Sequence, residues 1–425
     1  MSVLDGGRFT CNLNSEVVQI IMAFMVITRH IRKDPTISIA QMVLLIKGLK
    51  HALFRERLAY SSTKQLKHNP FMERSGSHSG SGSCLYSAQR RSLESLHKLI
   101  LFLDSNVKTM EQIMYDYTNT MGPSYVKCWL ELAITHHVGK TQHDILSRIQ
   151  SWLDEQCVQD LSTIVGPTID DDEAQVKAMS SFEAIVHRGY NASIQETILL
   201  CGLAGKLATL LKPNIASWDV QKQTAFTIIA LLPFNKDVFV SLLLMAKVVK
   251  NIFALMDTQP DENVLLLLCV LRSMLMVGHA IVVEEISRQN GVPKIVSLLN
   301  RNQEALQHVA FDCILELVYN GRMEVLQKVF ESEIVKNLVM LHDSYKESWN
   351  KKCASLGVRT NGDGHAHAYP FANALIEFAQ CFVNGLGLRK QEKRALKEVF
   401  LRQVKEIVQD KVEVANITIE IWWCP

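Results

Sequence analysis

Apolar residues recur three and four positions apart through most of the chain, which is the spacing of a helix that buries one face. One such helix follows a break at Asp34-Pro35, and its stripe contains Met42, Leu45, Ile46, Leu49 and Leu53. A later stripe contains Leu93, Leu96, Leu99, Ile100 and Leu103. The same spacing predicts helices around residues 107–118, 124–138 and 141–160. The pattern therefore predicts a chain that is helical almost throughout.

Two series of apolar segments recur with a shared period. The first series starts at Ala204, Val249, Val292 and Ile334, at intervals of 45, 43 and 42 residues. The second series is centred on Ala178, Ala225, Leu268 and Ala310, at intervals of 47, 43 and 42 residues. A period of about 40–47 residues with two or three helices per unit is typical of armadillo and HEAT arrays. A single unit cannot bury its apolar face alone, so the units are expected to stack into one continuous core.

The segment 290–321 distinguishes between these two repeat types, because it resembles the armadillo consensus. Gly291 and Pro293 stand where that family turns from its short first helix into its second. Ala310 matches the small residue at which the second and third helices of a unit approach each other. Gly321 follows eleven residues later, at the end of the third helix, where glycine tolerates a left-handed conformation. The resemblance implies an all-α, armadillo-type α-solenoid that forms a right-handed superhelix.

The C-terminal region carries a second resemblance. Residues 370–407 resemble the end of plant armadillo-repeat-only proteins, in which Gly-x-Gly-Leu-Arg and Glu-Lys-Arg-Ala also open the last helices. This likeness implies a plant protein of that group, without a U-box, that ends in a helical cap. In the tail, Ile417, Ile419 and Ile421 alternate with polar residues, which favours a strand. The family likeness favours a helix there, and we expect the helix.

Composition shifts and breaks divide the chain into six predicted segments. The tract Ser-Gly-Ser-His-Ser-Gly-Ser-Gly-Ser at 75–83 cannot bury a core and predicts a flexible linker. Gly166-Pro167 ends the helical region that follows it. The predicted segments are N-terminal helices (1–72), the linker (73–88), a helical region (89–165), armadillo repeats (166–345), a loop (346–369) and the C-terminal helical cap (370–425).

Charge and targeting signals narrow the possible partners. The chain has 45 Lys and Arg against 43 Asp and Glu, so its net charge of +2 predicts no general attraction to nucleic acid. The longest early apolar run, residues 17–27, is about half of what a membrane-spanning helix needs. With no apolar signal core near the N-terminus, we expect a cytoplasmic or nuclear protein without an integral membrane segment.

No constellation of residues indicates catalysis, a metal or a cofactor. Gly139-Lys140-Thr141 lacks the earlier glycine of a phosphate-binding loop, because Ile134 occupies that position. The ten cysteines include no pair at metal-binding spacing. Several stand in apolar helical runs, which predicts buried free thiols in a reducing compartment; these are Cys201, Cys269, Cys313 and Cys381. The chain is therefore expected to be non-enzymatic and to carry no cofactor.

The predicted function is a scaffold that binds a protein partner on the concave face of the solenoid, which third helices line in armadillo proteins. The corresponding positions are Ser180, Thr227, Val270, Asp312 and Glu316. Nuclear-import adaptors have Trp and Asn ladders on this face, and none of the four repeats has either residue, so import-signal binding is not expected. Asp312 and Glu316 lie four residues apart and could together hold a Lys or Arg of the partner. The alternative is a substrate-recognition module, or a relic, of a U-box-type ubiquitin ligase system.

Overall fold

The structure is a computed structural model that describes residues 40, 43–55, 81–119, 124–166, 171–355, 370–408, 414–415 and 418–419. All the regular structure in these ranges is helical, as predicted. The sixteen helices are α1 (43–55), α2 (Ser81–Asn119), α3 (Ser124–Ile164), α4 (Asp172–Val186), α5 (Ala192–Leu200), α6 (Leu203–Leu210), α7 (Trp218–Phe234), α8 (Lys236–Met245), α9 (Val248–Met256), α10 (Asp261–Arg288), α11 (Gly291–Ser297), α12 (Glu304–Asn320), α13 (Met323–Glu331), α14 (Ile334–Ser355), α15 (Ala374–Asn384) and α16 (Lys390–Ile407).

A first compact unit comprises residues 1–165 and 188–203. Apolar faces of α1, α2 and α3 form its core, which includes Ile46, Leu103, Met110 and Ile145, all 0% exposed. Lys47 and Glu111 form an ion pair between α1 and α2 at 2.5 Å. The helices predicted separately on either side of residue 105 are one helix, α2, and those on either side of Gly139 are also one helix, α3.

The predicted linker overlaps the start of α2. This helix begins at Ser81, so helix rather than flexible chain covers residues 81–88, and residues 73–80 lie outside the described ranges. Glycine costs a helix about 1 kcal/mol relative to alanine, and the helix extends back to Ser81 from later turns that are packed.

Polar groups connect α3 to the segment before α5 within the same unit. Arg188 donates to Asp154 Oδ1 at 2.6 Å, and Asn191 caps α5 by accepting from the backbone N–H of Ser193. Burial raises the pKa of Asp154 although Arg188 opposes this effect. Cys157 on α3 is disulfide-bonded, which differs from the expectation of free thiols throughout. Of the four cysteines named from the sequence, Cys269, Cys313 and Cys381 are free thiols.

The second unit, residues 166–187 and 204–425, contains the repeats. Each complete repeat has a first, a second and a third helix, and the three complete repeats are α8–α9–α10, the end of α10 with α11–α12, and α13–α14–α15. The helix α10 serves two repeats because its backbone breaks at His279, with φ 44° and ψ −125°. The third helices α4, α7, α10, α12 and α15 pack side by side in that order. This stacking of three-helix units is an armadillo-type α-solenoid.

The last third helix, α15, lies in the segment that the sequence assigned to the cap. Ala374 of α15 corresponds to Ala310 of α12, and both helices end at an Asn-Gly pair, Asn320-Gly321 and Asn384-Gly385. Leu386 N–H donates to Tyr319 O at 2.7 Å where the two helix ends meet. The predicted period failed here because an insertion after α14 makes this interval 374−310=64 residues instead of 42.

An aromatic cluster attaches α16 to the last repeat. Phe400 of α16 packs against Phe382 and Phe378 of α15 and Phe330 of α13, with ring centroids 5.6, 5.8 and 6.5 Å away. The described tail residues, 414–415 and 418–419, are helical, and Thr418 Oγ1 donates to Val414 O at 2.6 Å. The helix expected for the tail is therefore present at these four residues.

Among the described helices, α10 is long and apolar enough to cross a membrane by length and composition alone, with a mean hydropathy of 2.2 over an 18-residue window. The pair α8 and α9 passes the same test only if a 62° bend is ignored. Both parts of α10 pack within the repeats, against α7 and α12 in particular. A core helix with a buried apolar face satisfies such a test as readily as a membrane span does.

Candidate functional site

The third helices each present one stripe of exposed or half-buried residues, and these stripes together are named the third-helix face. Because the third helices pack side by side, their stripes form one surface across the repeats. Ser180 on α4 is exposed, as expected, and Asp312 and Glu316 on α12 are half-buried. Thr227 and Val270 are 0% exposed, so these two predicted contact residues are unavailable to a partner.

Thr227 and Val270 are buried because α7 and α10 are rotated about their own axes relative to the orientation that the sequence alignment implied. On α7 the residue that faces solvent is Phe226, one position before Thr227, and on α10 it is Cys269, one position before Val270. A shift of one residue rotates a side chain by about 100° around a helix, which moves it from the surface into the contact with the next helix. Alignment on the small residue Ala178 therefore located the helices correctly but not their outward faces.

The centre of the third-helix face is apolar. Its apolar residues that are exposed or half-buried, named the apolar platform, are Phe226, Ile229 and Pro233 on α7 with Cys269 and Met276 on α10; Arg272 and Ser273 lie between the last two. Phe226 is 40% exposed and Met276 is 51% exposed. No charged residue occurs between residues 223 and 235, and Arg272 is the only Lys, Arg, Asp or Glu between residues 263 and 283. Exposed apolar residues that cluster in this way mark sites of protein association.

A polar flank lies beside the apolar platform on α12. Arg272 Nε contacts Asp312 Oδ2 at 3.0 Å, and each side chain is 42% exposed. Glu316 accepts a hydrogen bond from Asn320 Nδ2 on its own helix at 3.0 Å. Asp312 thus has a cationic partner within the chain, and the proposed joint capture of a partner's base by Asp312 and Glu316 would have to compete with Arg272.

Polar contacts also connect α4 to α7 at the other side of the platform. Glu183 Oε1 accepts hydrogen bonds from Gln223 Nε2 at 2.7 Å and from Thr227 Oγ1 at 2.8 Å. Burial raises the pKa of Glu183, while the two hydrogen bonds and His187 act in the opposite direction. This contact explains why Thr227 is buried: its hydroxyl stabilises the packing of two third helices.

The thiols of the third helices α10, α12 and α15 are poor nucleophiles. Burial raises the pKa of Cys269 and of Cys313, and burial together with the charges of Glu316 and Glu377 raises the pKa of Cys381 to about 11. A protonated thiol neither attacks an electrophile nor binds a metal well. Within the described ranges, no group of three or more His, Cys, Asp or Glu side chains is arranged to hold a metal ion.

Comparisons with known proteins give only distant likenesses. No family model and no curated protein matches the chain. A designed armadillo repeat protein in complex with the peptide (KR)4 is 18% identical, with a TM-score of 0.43 over 63% of this chain and 98% of that protein. An engineered protein is 14% identical, with a TM-score of 0.43 over 98% of this chain and 97% of that protein. Likenesses this distant add nothing about what this chain binds.

Proposed function

We propose that this protein is a non-enzymatic scaffold that binds a protein partner on the third-helix face, with the apolar platform as the anchor. The observation that carries the proposal is the platform itself, in which Phe226 and Met276 leave 40% and 51% of their surfaces exposed. Complete burial of a fully exposed side chain of this kind contributes about 1.5–3 kcal/mol, and Phe226 and Met276 can gain only the part that is still exposed, roughly half of that each. The platform therefore anchors a partner together with further contacts, because association itself costs about 4–15 kcal/mol.

The polar groups on either side of the platform restrict what it accepts. Glu183 on one side and the Arg272–Asp312 pair on the other already have partners within the chain. A ligand that is basic throughout gains little from carboxylates that are already paired. We therefore propose a partner segment with bulky apolar side chains at its centre and polar residues on both sides.

The test is a selection of peptides from a random displayed library on the whole chain, followed by affinity measurements on variants. Met276→Lys is expected to weaken the selected peptides at least tenfold, because a charge replaces an apolar contact. Met340→Lys is the matched control, since Met340 is 57% exposed but lies on the second helix α14. Peptides that bind both variants equally well would refute the platform as the binding site.

The substrate-recognition role in a ubiquitin ligase system is the alternative proposal. It requires the same kind of binding surface and adds a ligase partner. An in vitro ubiquitylation assay with the chain present and absent distinguishes the two proposals, because a scaffold alone does not change the rate of ubiquitin transfer.

A further inference from the structure

The apolar platform lies along two neighbouring stripes, one on α7 and one on α10. Their members are exposed or half-buried: Lys222, Phe226, Ile229 and Pro233 on α7, with Leu265, Cys269, Arg272 and Met276 on α10. Each stripe has the spacing i, i+4, i+7 and i+11, and residues eleven apart differ by only about 20° around a helix. Each stripe is therefore nearly straight, and it is about 16 Å long.

The two stripes form the sides of one groove. Equivalent positions of successive repeats lie side by side, as Thr224 Oγ1 does with Met179 Sδ at 3.5 Å and Cys313 Sγ with Leu268 O at 3.9 Å. The third helices α7 and α10 also pack together, and packed helices are about 8–10 Å apart. Their stripes therefore run in the same direction, and the groove between them accepts a third helix laid along it.

The groove offers few hydrogen bonds to the backbone of a partner, because the polar side chains beside it are already engaged. Ser273 Oγ donates to Cys269 O at 2.8 Å. Gln223 and Thr227 both donate to Glu183. An extended segment carries an N–H and a C=O at each residue, and these groups need partners when they are covered. A helix bonds these groups within itself, so this surface favours a helical partner over an extended one.

Two exposed acids lie at one end of the groove. Asp219 and Glu262 stand in the first turns of α7 and α10, at equivalent positions 262−219=43 residues apart. Neither forms an ion pair with another described residue. The helix dipole accounts for an acid in each first turn, but it leaves both charges exposed to a partner. This end of the groove is therefore acidic, with Lys222 one turn further along α7.

We propose, on the basis of the proposed function, that the groove binds an amphipathic helix of a protein partner, antiparallel to α7 and α10. Its apolar side chains stand at i, i+4, i+7 and i+11, which matches the two stripes. Lys or Arg residues in its last turn lie at Asp219 and Glu262, where they also complement the negative end of the partner's own dipole. A parallel helix would have to place these bases in its first turn, against its dipole. The ion pairs add to the burial of Phe226 and Met276.

The experiment uses three alanine-based peptides of equal length and composition, each with leucines and a pair of lysines. The first has leucines at i, i+4, i+7 and i+11 and both lysines in its last turn. The second has the same leucines and both lysines in its first turn. The third has leucines at every second position, which suits an extended segment, and both lysines near its end.

Binding to the whole chain is measured by fluorescence anisotropy. Low salt is used, because exposed charges are screened within about 10 Å at 0.1 M. The first peptide is expected to bind at least tenfold more tightly than either of the others.

Variants of the chain locate the binding in the groove. Met276→Lys is expected to weaken the first peptide at least tenfold. Glu262→Lys is expected to reduce the preference for the first peptide over the second at least fivefold. Because this variant changes the chain and not the peptides, it separates contact with the acids from any difference in peptide helicity. Glu324→Lys is the matched control, since Glu324 is also an exposed acid in a first turn, but of the first helix α13, and it is expected to leave the preference unchanged.

Three results would overturn the inference. One is that the third peptide binds as tightly as the first, which would indicate an extended partner. Another is equal affinity for the first and second peptides, which would refute the antiparallel orientation. The last is no binding of the first peptide up to about 1 mM. The proposed function fails separately, when peptides selected from the library bind the parent chain and Met276→Lys equally well.

Discussion

Replacing Ala310 with a larger residue tests the assignment of the repeats at one buried position. Ala310 is 0% exposed in α12, a helix that packs against α10, α11, α13 and α15. Leucine at this position would add three carbon atoms where the packing leaves no space. Overpacking of this kind costs about 1–3 kcal/mol, because neighbouring side chains must leave their preferred rotamers. We expect Ala310→Leu to lower the stability of the repeat unit by this amount.

The matched control is Ala305→Leu on the same helix. Ala305 is exposed, so the added atoms meet solvent, and substitutions at such positions usually change stability by no more than about 0.5 kcal/mol. Both variants replace alanine with leucine in the same helix, and these two residues differ little in helix propensity, so packing is the main source of any difference between the variants. The assay is urea denaturation combined with hydrogen exchange of α12, because a chain with two compact units need not unfold in a single step. Equal midpoints and equal protection of α12 in the two variants would refute the repeat register.

Three further predictions follow from particular contacts. Phe400→Ala removes the ring that α16 contributes to the aromatic cluster, and it is expected to lower the free energy of unfolding by about 3–5 kcal/mol, measured by thermal or urea unfolding. Its control, Lys405→Ala on the exposed face of α16, is expected to leave stability unchanged. Burial raises the pKa of Glu183, so the protonated carboxyl is favoured in the folded chain relative to the unfolded chain. Protonated Glu183 therefore contributes to the free energy of unfolding below the ordinary glutamate pKa. This contribution is lost as the pH rises through the raised pKa of the folded chain. Glu183→Gln removes this loss, so the melting temperature of the variant should fall less, or rise more, than that of the parent chain as the pH rises above the ordinary glutamate pKa. An unchanged pH profile would contradict the role assigned to burial. The linker predicted at 73–88, of which residues 73–80 lie outside the described ranges, is expected to be cut first in brief proteolysis, and early cleavage inside residues 200–340 would contradict this prediction.

The contacts between helices changed the kind of partner that we propose, compared with the one expected from the sequence. Asp312 and Glu316 share one helix face in the sequence, and the structure keeps them there. Spacing along one helix cannot show that Arg272, forty residues earlier, reaches Asp312 from the next helix. In the site that we propose, the acidic pair is a flank and the uncharged stretch of α7 is the centre. That stretch was visible in the sequence as a run without charge from residue 223 to residue 235.

The sequence by itself determined the helices and their repetition. Apolar spacing is a local property of each helix, and it recurs with the same period in each repeat. It located the second and third helices from Ala178 to Ile334, and it identified Gly291 and Gly321 as helix boundaries. Only the tertiary structure decided which residues of a third helix face solvent, since a rotation of about 100° depends on how neighbouring helices pack and not on the period. It also decided that α15 completes the last repeat, because an insertion interrupts the period while side-by-side packing with α12 continues across it.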